Sequence, residues 1–498
     1  MSTSLNAEWE LAEPRADAMI ESLRSFGYSP ETAIADLIDN SISANSKLIS
    51  INFIWRGADS VVTIADDGVG MDERQLLAAM RPGSMSPLES RGKRDLGRFG
   101  LGLKTASFSQ ARELTVVTRA QSRLGESVRR WDLDTVAKTR QWRLLKTEPP
   151  TVEGIAPELG ARGTVVLWSK CDRLVGSVHT DDEKAQNRFL KVTNDVALHI
   201  SATFGKFLSG RGKIRITVNG RDIKPWDPFL ESHPSTSSAG EELLPLGGKM
   251  VRIKPFILPH RSKLSQAETE QGAGRHGWNQ QQGFYVYRNN RLLLGGDWLG
   301  LGYSKDEHAK LARISIEFPS ELDHYWQIDV KKSTARPPGV MVDDLKRIAT
   351  ATRRRAEDVY RHRGKIIAQR SSQSFVSAWN PYKRRDGSRG YRVNRENPLV
   401  RAVFEESGAN GRSVEKLLRF VEETVPTTMI GIGIADSIDK QHAPFDESKK
   451  EFGRMLRFLY HRMVENGSTP ETVIEVLSAT EPFAGYPEMI SDLKDELA

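Results

Sequence analysis

Apolar residues recur every three or four positions in the stretch AIADLIDNSISA, residues 33–44, which is the spacing of an amphipathic helix. Ser29 and Pro30 precede this stretch, and these residue types favour the N-cap and the first position of a helix. The pattern therefore predicts a helix over residues 30–44.

The same predicted helix carries short polar side chains beside its apolar stripe. Asp36 and Asn40 lie one turn apart and therefore share a face. We expect Asp39 to be the acid that faces solvent. A carboxylate and an amide one turn apart on a packed helix are candidates for the wall of a binding site.

Two strands, a short helix and three further strands are predicted after this helix. The strands are rich in β-branched residues, and Asp72 with Gln75 resembles a capping box at the start of the short helix. The segment that follows the short helix, from about residue 81, is rich in glycine, serine and proline, so no regular structure is expected until about Leu101. The predicted strands are residues 47–55, 60–68, 113–119, 126–133 and 163–169. This order predicts an α/β (α+β) two-layer sandwich up to about residue 175.

A second α/β unit is predicted to follow, ending near residue 338. Its predicted elements are a helix over 187–208, a strand over 213–220, a hairpin over 283–296 and a strand over 311–318, with irregular loops at 231–242 and 265–282. A long helix over 341–370 comes next, before a basic irregular stretch and mainly helical sequence. The predicted regions are 1–180, 181–340 and 341–498.

Composition narrows the class of protein. The chain has 498 residues, of which 38% are hydrophobic and 28% charged, and it has no apolar run of about 18 residues that would predict a membrane span. The acidic N-terminus does not resemble a signal peptide, so we expect a cytoplasmic protein. Its single cysteine, Cys171, excludes an internal disulfide and a thiolate-rich zinc site. The net charge of +7 is compatible with a polyanionic partner.

Two glycine-containing motifs mark a candidate site in the first region. The motif DDGVG, residues 66–70, follows a predicted strand and places carboxylates where glycines permit close approach of a ligand. The motif GRFGLGLK, residues 97–104, is a glycine-rich loop that opens a helix, where free backbone amides favour a phosphate. Each motif alone is more often a structural turn, but their order and spacing together are harder to obtain by chance.

The order of these motifs resembles the GHKL ATPases, which include the gyrase B subunit, a heat-shock chaperone, sensor histidine kinases and MutL. The resemblance covers about residues 14–175. The residues of the motifs AIADLIDNSISA, IADDGVGMD and GRFGLGLKTAS are most similar to those of the microrchidia (MORC) and MutL-like branch. The fold implied is the GHKL (Bergerat-type) sandwich, followed by a transducer-like α/β domain and a mainly helical, partly basic C-terminal region.

The resemblance implies a role for individual residues in binding ATP and Mg²⁺. Asn40 would hold Mg²⁺, Asp66 would accept a hydrogen bond from the adenine amino group, and Asp36 would orient or deprotonate the attacking water. Thr164 would support the adenine through water. The other implied ATP-binding residues are Gly68, Gly70, Met71, Gly97, Phe99, Gly100, Leu101, Gly102 and Lys104, with residues 81–102 as a lid.

Two further features bear on catalysis. The transducer lysine that reaches the γ-phosphate in this family corresponds to Lys331 or Lys332, of which we favour Lys332; two surface lysines at a strand end are an equally good reading. The family usually has glutamate at the position of Asp36. Because a positioning error of about 1 Å can cost on the order of 100-fold in rate, the shorter side chain predicts slow turnover.

The C-terminal region offers weaker signals. Residues 352–365 and 382–395 interleave arginine with tyrosine, as a DNA-binding surface does, although a solvated helix face explains the first equally well. Residues 438–451 resemble a fragment of the metal motif of MutL endonucleases. Lys440 interrupts that motif and its partner cysteine motif is absent from the sequence, so a nuclease is a minor alternative.

The leading hypothesis is a Mg²⁺-dependent ATPase that dimerises on ATP and acts on DNA, in a restriction or anti-phage defence system. A chaperone-like ATPase and a nucleotide-gated scaffold without turnover are the alternatives. A histidine-type protein kinase is disfavoured, because only about 30 residues precede the first motif and a phosphoacceptor helix is expected there.

Overall fold

The computed structural model describes residues 13–83, 102–121, 125–149, 159–210, 212–328, 335–366, 376–383, 389–426, 445 and 448–497. The chain divides into two compact units, Met1–Asp358 and Val359–Ala498. Among the described helices, none has the length and apolar character that a bilayer crossing requires.

A seven-stranded mixed sheet forms the base of the first unit. Its strands are β1 (Leu48–Ile54), β2 (Val61–Asp66), β3 (Glu113–Arg119), β4 (Ser127–Asp132), β5 (Gly163–Ser169), β6 (Arg215–Val218) and β7 (Arg221–Asp222). They lie in the order β4-β3-β5-β2-β1-β6-β7, and all pairs are antiparallel except β1 with β6. Each of the five strands predicted before residue 175 is therefore present.

In the described residues, seven helices accompany this sheet. They are α1 (Ala16–Arg24), α2 (Pro30–Ser43), α3 (Glu73–Met80), α4 (Gly102–Phe108), α5 (Leu133–Thr139), α6 (Glu183–Thr203) and α7 (Gly205–Leu208). Ile34 and Ile38 of α2 are fully buried in one hydrophobic core with strand residues such as Ile51 and Trp168. The apolar stripe thus packs α2 into the core, and the predicted two-layer α/β sandwich is confirmed.

Local sequence signals account for the helix ends in this sandwich. Ser29 caps α2 by accepting a hydrogen bond from the backbone N–H of Thr32, as predicted. Asp72 and Gln75 form a reciprocal capping box at the start of α3. Neither cap depends on residues that are distant in the sequence.

One strand lies in a different sheet from the one expected. The sequence places the strand of residues 213–220 in the second α/β unit, but β6 pairs in parallel with β1 and extends the first sheet. Residues of α6 are buried in the same core. The division of the chain at residues 180 and 340 stays a prediction.

A six-stranded sheet follows in the same unit. Its strands are β8 (Ser237–Ser238), β9 (Glu242–Leu246), β10 (Lys249–Ile257), β11 (Gly283–Arg288), β12 (Arg291–Asp297) and β13 (Ala312–Phe318), in the order β12-β11-β13-β10-β8, with β9 paired to β10. The predicted hairpin is β11–β12. Asn289 and Asn290 form its turn with φ values of 46° and 70°, as a type I′ turn requires.

Among the described residues, two further α-helices follow: α8 (Gln266–Ala273) and α9 (Val342–Ile366), of which α9 continues past the end of the first unit at Asp358. The expectation of an irregular loop over residues 265–282 is wrong at α8. Ser265 and Glu268 form a capping box there, which stabilises a helix start that polar composition alone does not reveal.

The second unit contains a two-stranded sheet and five helices among its described residues. They are β14 (Trp379–Lys383), β15 (Arg389–Val393), α10 (Pro398–Ser407), α11 (Gly411–Glu423), α12 (Lys449–Glu465), α13 (Pro470–Ser478) and α14 (Pro487–Leu497). Phe452, Leu456, Val473 and Phe483 lie in its core. The helices agree with the prediction, whereas β14 and β15 form an antiparallel pair where an irregular basic stretch is expected.

Candidate active site

Asp66 is the last residue of β2, and protein donors surround its carboxylate. The hydroxyl of Ser41 donates to Oδ2 over 2.8 Å, and the backbone N–H of Gly68 donates to Oδ1 over 2.9 Å. Burial raises the pKa of Asp66, and so does the neighbouring charge of Asp67, while the hydrogen bonds from Ser41, Gly68 and Thr164 oppose the rise. These hydrogen bonds orient the carboxylate as an acceptor in a largely buried position, which suits a ligand that donates an N–H.

The turn after Asp66 requires glycine for reasons within the protein itself. Gly70 has a φ of 65°, and a β-carbon on it would overlap the carbonyl oxygen of Arg119. A β-carbon on Gly68 would lie 2.8 Å from both Asp66 Oδ1 and the side chain of Ala44. The motif thus closes a tight turn against the end of β3 and against the C-terminus of α2.

Thr164 lies opposite Asp66 on β5 and belongs to a threonine network. The hydroxyl of Thr118 donates to the carbonyl oxygen of Gly163 over 2.9 Å and accepts from the backbone N–H of Met71 over 3.0 Å. The hydroxyls of Thr118 and Thr164 are 3.0 Å apart. This network fixes Met71 and Thr164 beside Asp66.

Asp36 is buried on α2, with 4% of its surface exposed. The phenolic hydroxyl of Tyr28 donates to its Oδ2 over 2.9 Å. A β-carbon on Gly102 would lie 3.3 Å from the same oxygen, so Asp36 directly faces the first residue of α4. The candidate base and the end of the glycine-rich motif are therefore neighbours.

Asp39 is buried, and the expectation that it faces solvent is wrong. It is 0% exposed, and both of its carboxylate oxygens lie 2.9 Å from Nε of Arg291 at the start of β12. The same guanidinium reaches toward Asp36, with Nη2 3.9 Å from Oδ1. Because a buried charge needs a partner, Arg291 explains why Asp39 is tolerated in the interior.

Lys104 lies in the first turn of α4 and is also buried. Its Nζ donates to the carbonyl oxygen of Ala79, near the C-terminal end of α3, over 2.8 Å. Burial lowers the pKa of Lys104 to about 8. In this structure the ammonium group therefore binds the end of a helix, where the dipole favours a positive charge.

The remaining candidates divide into two groups. Asn40 is exposed on α2, one turn beyond Asp36, and Met71 is half-buried. The predictions for Gly97, Phe99, Gly100, Leu101, Lys331 and Lys332 lie outside the described residues. Within the described part of the chain, no group of three or more His, Cys, Asp or Glu residues is arranged to hold a metal. A Mg²⁺ ion held by one side chain and by phosphates does not require such a group.

Comparison with known proteins identifies this region. Residues 28–162 match the family described as "Histidine kinase-, DNA gyrase B-, and HSP90-like ATPase". This segment is a GHKL ATPase domain. The GHKL domain also resembles part of "ATPase morc-1" from Caenorhabditis elegans, with 33% identity over 108 residues. That match covers 21% of this chain and 12% of the relative's length, so it concerns the domain and not the whole relative. The predicted GHKL and MORC-like resemblance is confirmed.

Sequence reasoning missed several residues that shape the site of the GHKL domain. Ser41 and Thr118 hold Asp66 and Met71, while Tyr28 and Arg291 contact the two aspartates of α2. Ser41 adjoins the motif residue Asn40, which is a signal that could have drawn attention to it. Arg291 carries no local signal, because its partner Asp39 is 252 positions away.

Proposed function

We propose that this protein binds ATP in its GHKL domain and hydrolyses it slowly, with Asp36 as the base. One observation carries the proposal. Ser41, on the helix that carries Asp36, donates its hydroxyl to Asp66, so α2 connects the candidate base with the candidate adenine acceptor. Asp36 also faces Gly102, where the glycine-rich motif enters α4. These contacts support a site that extends from the end of β2 to the start of α4.

Each proposed role follows from the chemistry of the group. The Asp66 carboxylate accepts a hydrogen bond from the adenine amino group, and Thr164 and Met71 lie beside it. Asn40 would hold Mg²⁺, which would neutralise phosphate charge. As the water oxygen bonds to the γ-phosphorus, a water proton passes to Asp36. The bond from that phosphorus to the β–γ bridging oxygen breaks, and ADP and phosphate form.

Lys104 provides a pH-dependent prediction for ATP binding. We propose that its ammonium group leaves Ala79 and contacts the phosphates when ATP binds. Because the pKa of Lys104 is about 8, the ammonium form is full below that pH and is lost as the pH rises through it. We expect ATP affinity to fall by up to about tenfold in total between pH 7 and pH 9, because the protonated fraction falls from about 0.9 to about 0.1. Isothermal titration across this range measures the effect.

The matched control for this experiment is Lys104→Arg. A guanidinium group stays protonated over the whole range, so the ATP affinity of this variant should change much less with pH. Equal pH dependence in the wild type and in Lys104→Arg would show that Lys104 does not bind the phosphates.

A scaffold that binds ATP without turnover is the second candidate, and one observation favours it. Oδ2 of Asp36 already accepts a hydrogen bond from Tyr28, and Asp36 is one methylene shorter than the family's usual glutamate. A side chain that is held and short reaches an attacking water less readily. Phosphate release by the purified protein separates this candidate from the leading one.

We further propose that the protein dimerises on ATP and acts on DNA, in a restriction or anti-phage system. The DNA proposal is supported by the hairpin of β14 and β15. Arg392 lies 4.4 Å from the centre of the Tyr382 ring, and Tyr391 is 37% exposed, which resembles a surface for phosphates and bases. By contrast, Arg353 of the other basic stretch stacks on Trp298 within the first unit.

Charge reversal in this hairpin region tests the DNA proposal. Replacing Arg384, Arg385 and Arg389 by glutamate should weaken binding to duplex DNA by at least tenfold at low salt. It should also make log K fall less steeply with log salt, because fewer phosphates are neutralised. Fluorescence anisotropy over a salt series measures both quantities. The control is the same reversal at Lys184, Arg188 and Lys191, which are exposed on α6. Equal losses in the two variants would contradict a specific role of the hairpin region.

A further inference from the structure

Arg291 connects the second sheet to the helix that carries the proposed base. It is the first residue of β12, directly after the Asn289–Asn290 turn, and 3% of its surface is exposed. Its Nη1 donates to the carbonyl oxygen of Leu292, and its guanidinium lies 5.9 Å from the centre of the Phe204 ring. The backbone turn and these contacts hold the guanidinium in one place.

The guanidinium faces two carboxylates that are three residues apart on α2. Nε lies 2.9 Å from both oxygens of Asp39, and Nη2 lies 3.9 Å from Oδ1 of Asp36. Asp39 and Asp36 are both almost completely buried. In such surroundings ion pairs are weakly screened, so a shift of the guanidinium changes the energies of both carboxylates. Asp36 therefore lies between Tyr28, Gly102 and a charge supplied by the second sheet.

We infer that Arg291 is a positioning residue for ATP hydrolysis: it anchors α2 through Asp39 and sets the orientation of Asp36. The rate of ATP turnover then depends on the contact between the six-stranded sheet and α2. This dependence is separate from any contact that the sheet makes with the nucleotide. The inference rests on the proposed ATPase function. It assigns Arg291 no contact with ATP, and therefore predicts an effect on turnover and not on affinity.

The same hairpin offers a matched control. Arg288 pairs with Arg291 across the β11–β12 turn and is equally buried, at 3% exposed. Its Nε lies 2.7 and 3.0 Å from the carboxylate oxygens of Asp323. Arg288 thus forms an ion pair of the same type with the connection that follows β13. Substitution of either arginine removes a buried ion pair from one hairpin, but the carboxylate partner of Arg291 lies on α2, whereas Asp323 lies after β13.

Arg291→Lys and Arg288→Lys are the variants to compare in the full chain. Lysine keeps the charge but cannot place one planar group against both carboxylates. We expect Arg291→Lys to lower kcat at least tenfold, since small errors in positioning are costly, with ATP affinity within about threefold of the wild type. Both variants should lower the melting temperature by similar amounts, because each weakens one buried ion pair. The kcat of Arg288→Lys, however, should stay within about threefold of the wild type.

A cavity beside Arg291 permits a second readout. It has a volume of about 440 Å³, and its lining includes Arg291, His199, Thr203 and Trp226. In Arg291→Ala, millimolar methylguanidinium should enter this space and restore part of the lost kcat, whereas equal concentrations of tetramethylammonium should not. Restoration of turnover at unchanged ATP affinity separates a positioning role from a loss of folding.

The outcomes separate this inference from the proposed function. If wild-type protein releases no phosphate from ATP, the hydrolytic function itself is wrong. If the wild type turns over and Arg291→Lys has the same kcat, or the two lysine variants lose kcat equally without rescue of Arg291→Ala, the positioning role is overturned.

Discussion

Replacing Asp36 by alanine should lower ATP turnover by about 100-fold or more while ATP still binds. General bases typically contribute between about 10² and 10⁴ in rate, and Asp36 is the carboxylate that faces the start of α4. The adenine acceptor Asp66 is untouched by this change, so affinity should stay within a few-fold of the wild type. Phosphate release at saturating ATP, with the affinity measured in parallel, tests the expectation.

Asp36→Asn is the sharper variant for this purpose. Asparagine has nearly the same shape, and its Oδ1 can still accept the hydrogen bond from Tyr28. The change removes the basic oxygen and the negative charge that faces Arg291, and leaves the size of the side chain almost unchanged. A turnover rate in Asp36→Asn equal to that of the wild type would refute the assignment of the base, because the packing of α2 is preserved.

Replacing Asp66 by asparagine should weaken ATP binding by about 10- to 100-fold. The amide places N–H groups where the adenine amino group needs an acceptor, and an unmatched buried polar pair costs about 1–3 kcal/mol. The domain should still fold, because the amide oxygen can accept from Gly68 N–H and the Ser41 hydroxyl can turn to accept. Isothermal titration with ATP measures the loss.

The stability of the same variant can be predicted from the pKa of Asp66. Burial raises that pKa, so the charged form is disfavoured in the folded protein. Protonated Asp66 therefore contributes to the stability of the folded protein. This contribution is complete below the pKa of the carboxyl group in the unfolded chain, about 3.9, and is lost as the pH rises through the higher pKa of the folded protein. Asparagine carries no charge, so at pH 7 the melting temperature of Asp66→Asn should equal or exceed that of the wild type.

Asp67→Asn is the matched control. Oδ1 of Asp67 accepts from the Ser46 hydroxyl and from the backbone N–H groups of Lys47 and Leu48. Its role is therefore to fix the turn before β1, and its loss should cost stability by about 1 kcal/mol without a comparable loss of ATP affinity. If Asp67→Asn lost ATP affinity as strongly as Asp66→Asn, the specific role of Asp66 would be untenable.

The features predicted from the sequence are those that depend on local patterns. The stripe of Ile34 and Ile38 and the cap at Ser29 each depend on residues within a few positions of one another. The glycines after Asp66 were visible as a motif, although the contacts that require them, with Ala44 and Arg119, are distant in the sequence. The order of the motifs then predicted the family, because in GHKL ATPases these separate segments together form one site.

The features that sequence reasoning missed depend on distant partners. No residue near Asp39 in the sequence explains its burial, since its partner Arg291 lies on β12, 252 positions away. The parallel pairing of β6 with β1 joins strands that are more than 150 residues apart, and hydrophobic alternation does not specify such a pairing. Composition also hid α8, although the Ser265 and Glu268 capping box was present in the sequence.

The most direct test of the central claim is to measure ATP affinity and phosphate release in the same preparations of wild type, Asp66→Asn and Asp36→Asn. A site that extends from Asp66 to Asp36 predicts three different results. The wild type should bind ATP and release phosphate slowly, and Asp36→Asn should bind ATP without release. Asp66→Asn should bind ATP about 10- to 100-fold more weakly than the wild type. Wild-type affinity in Asp66→Asn, together with wild-type release in Asp36→Asn, would contradict the site.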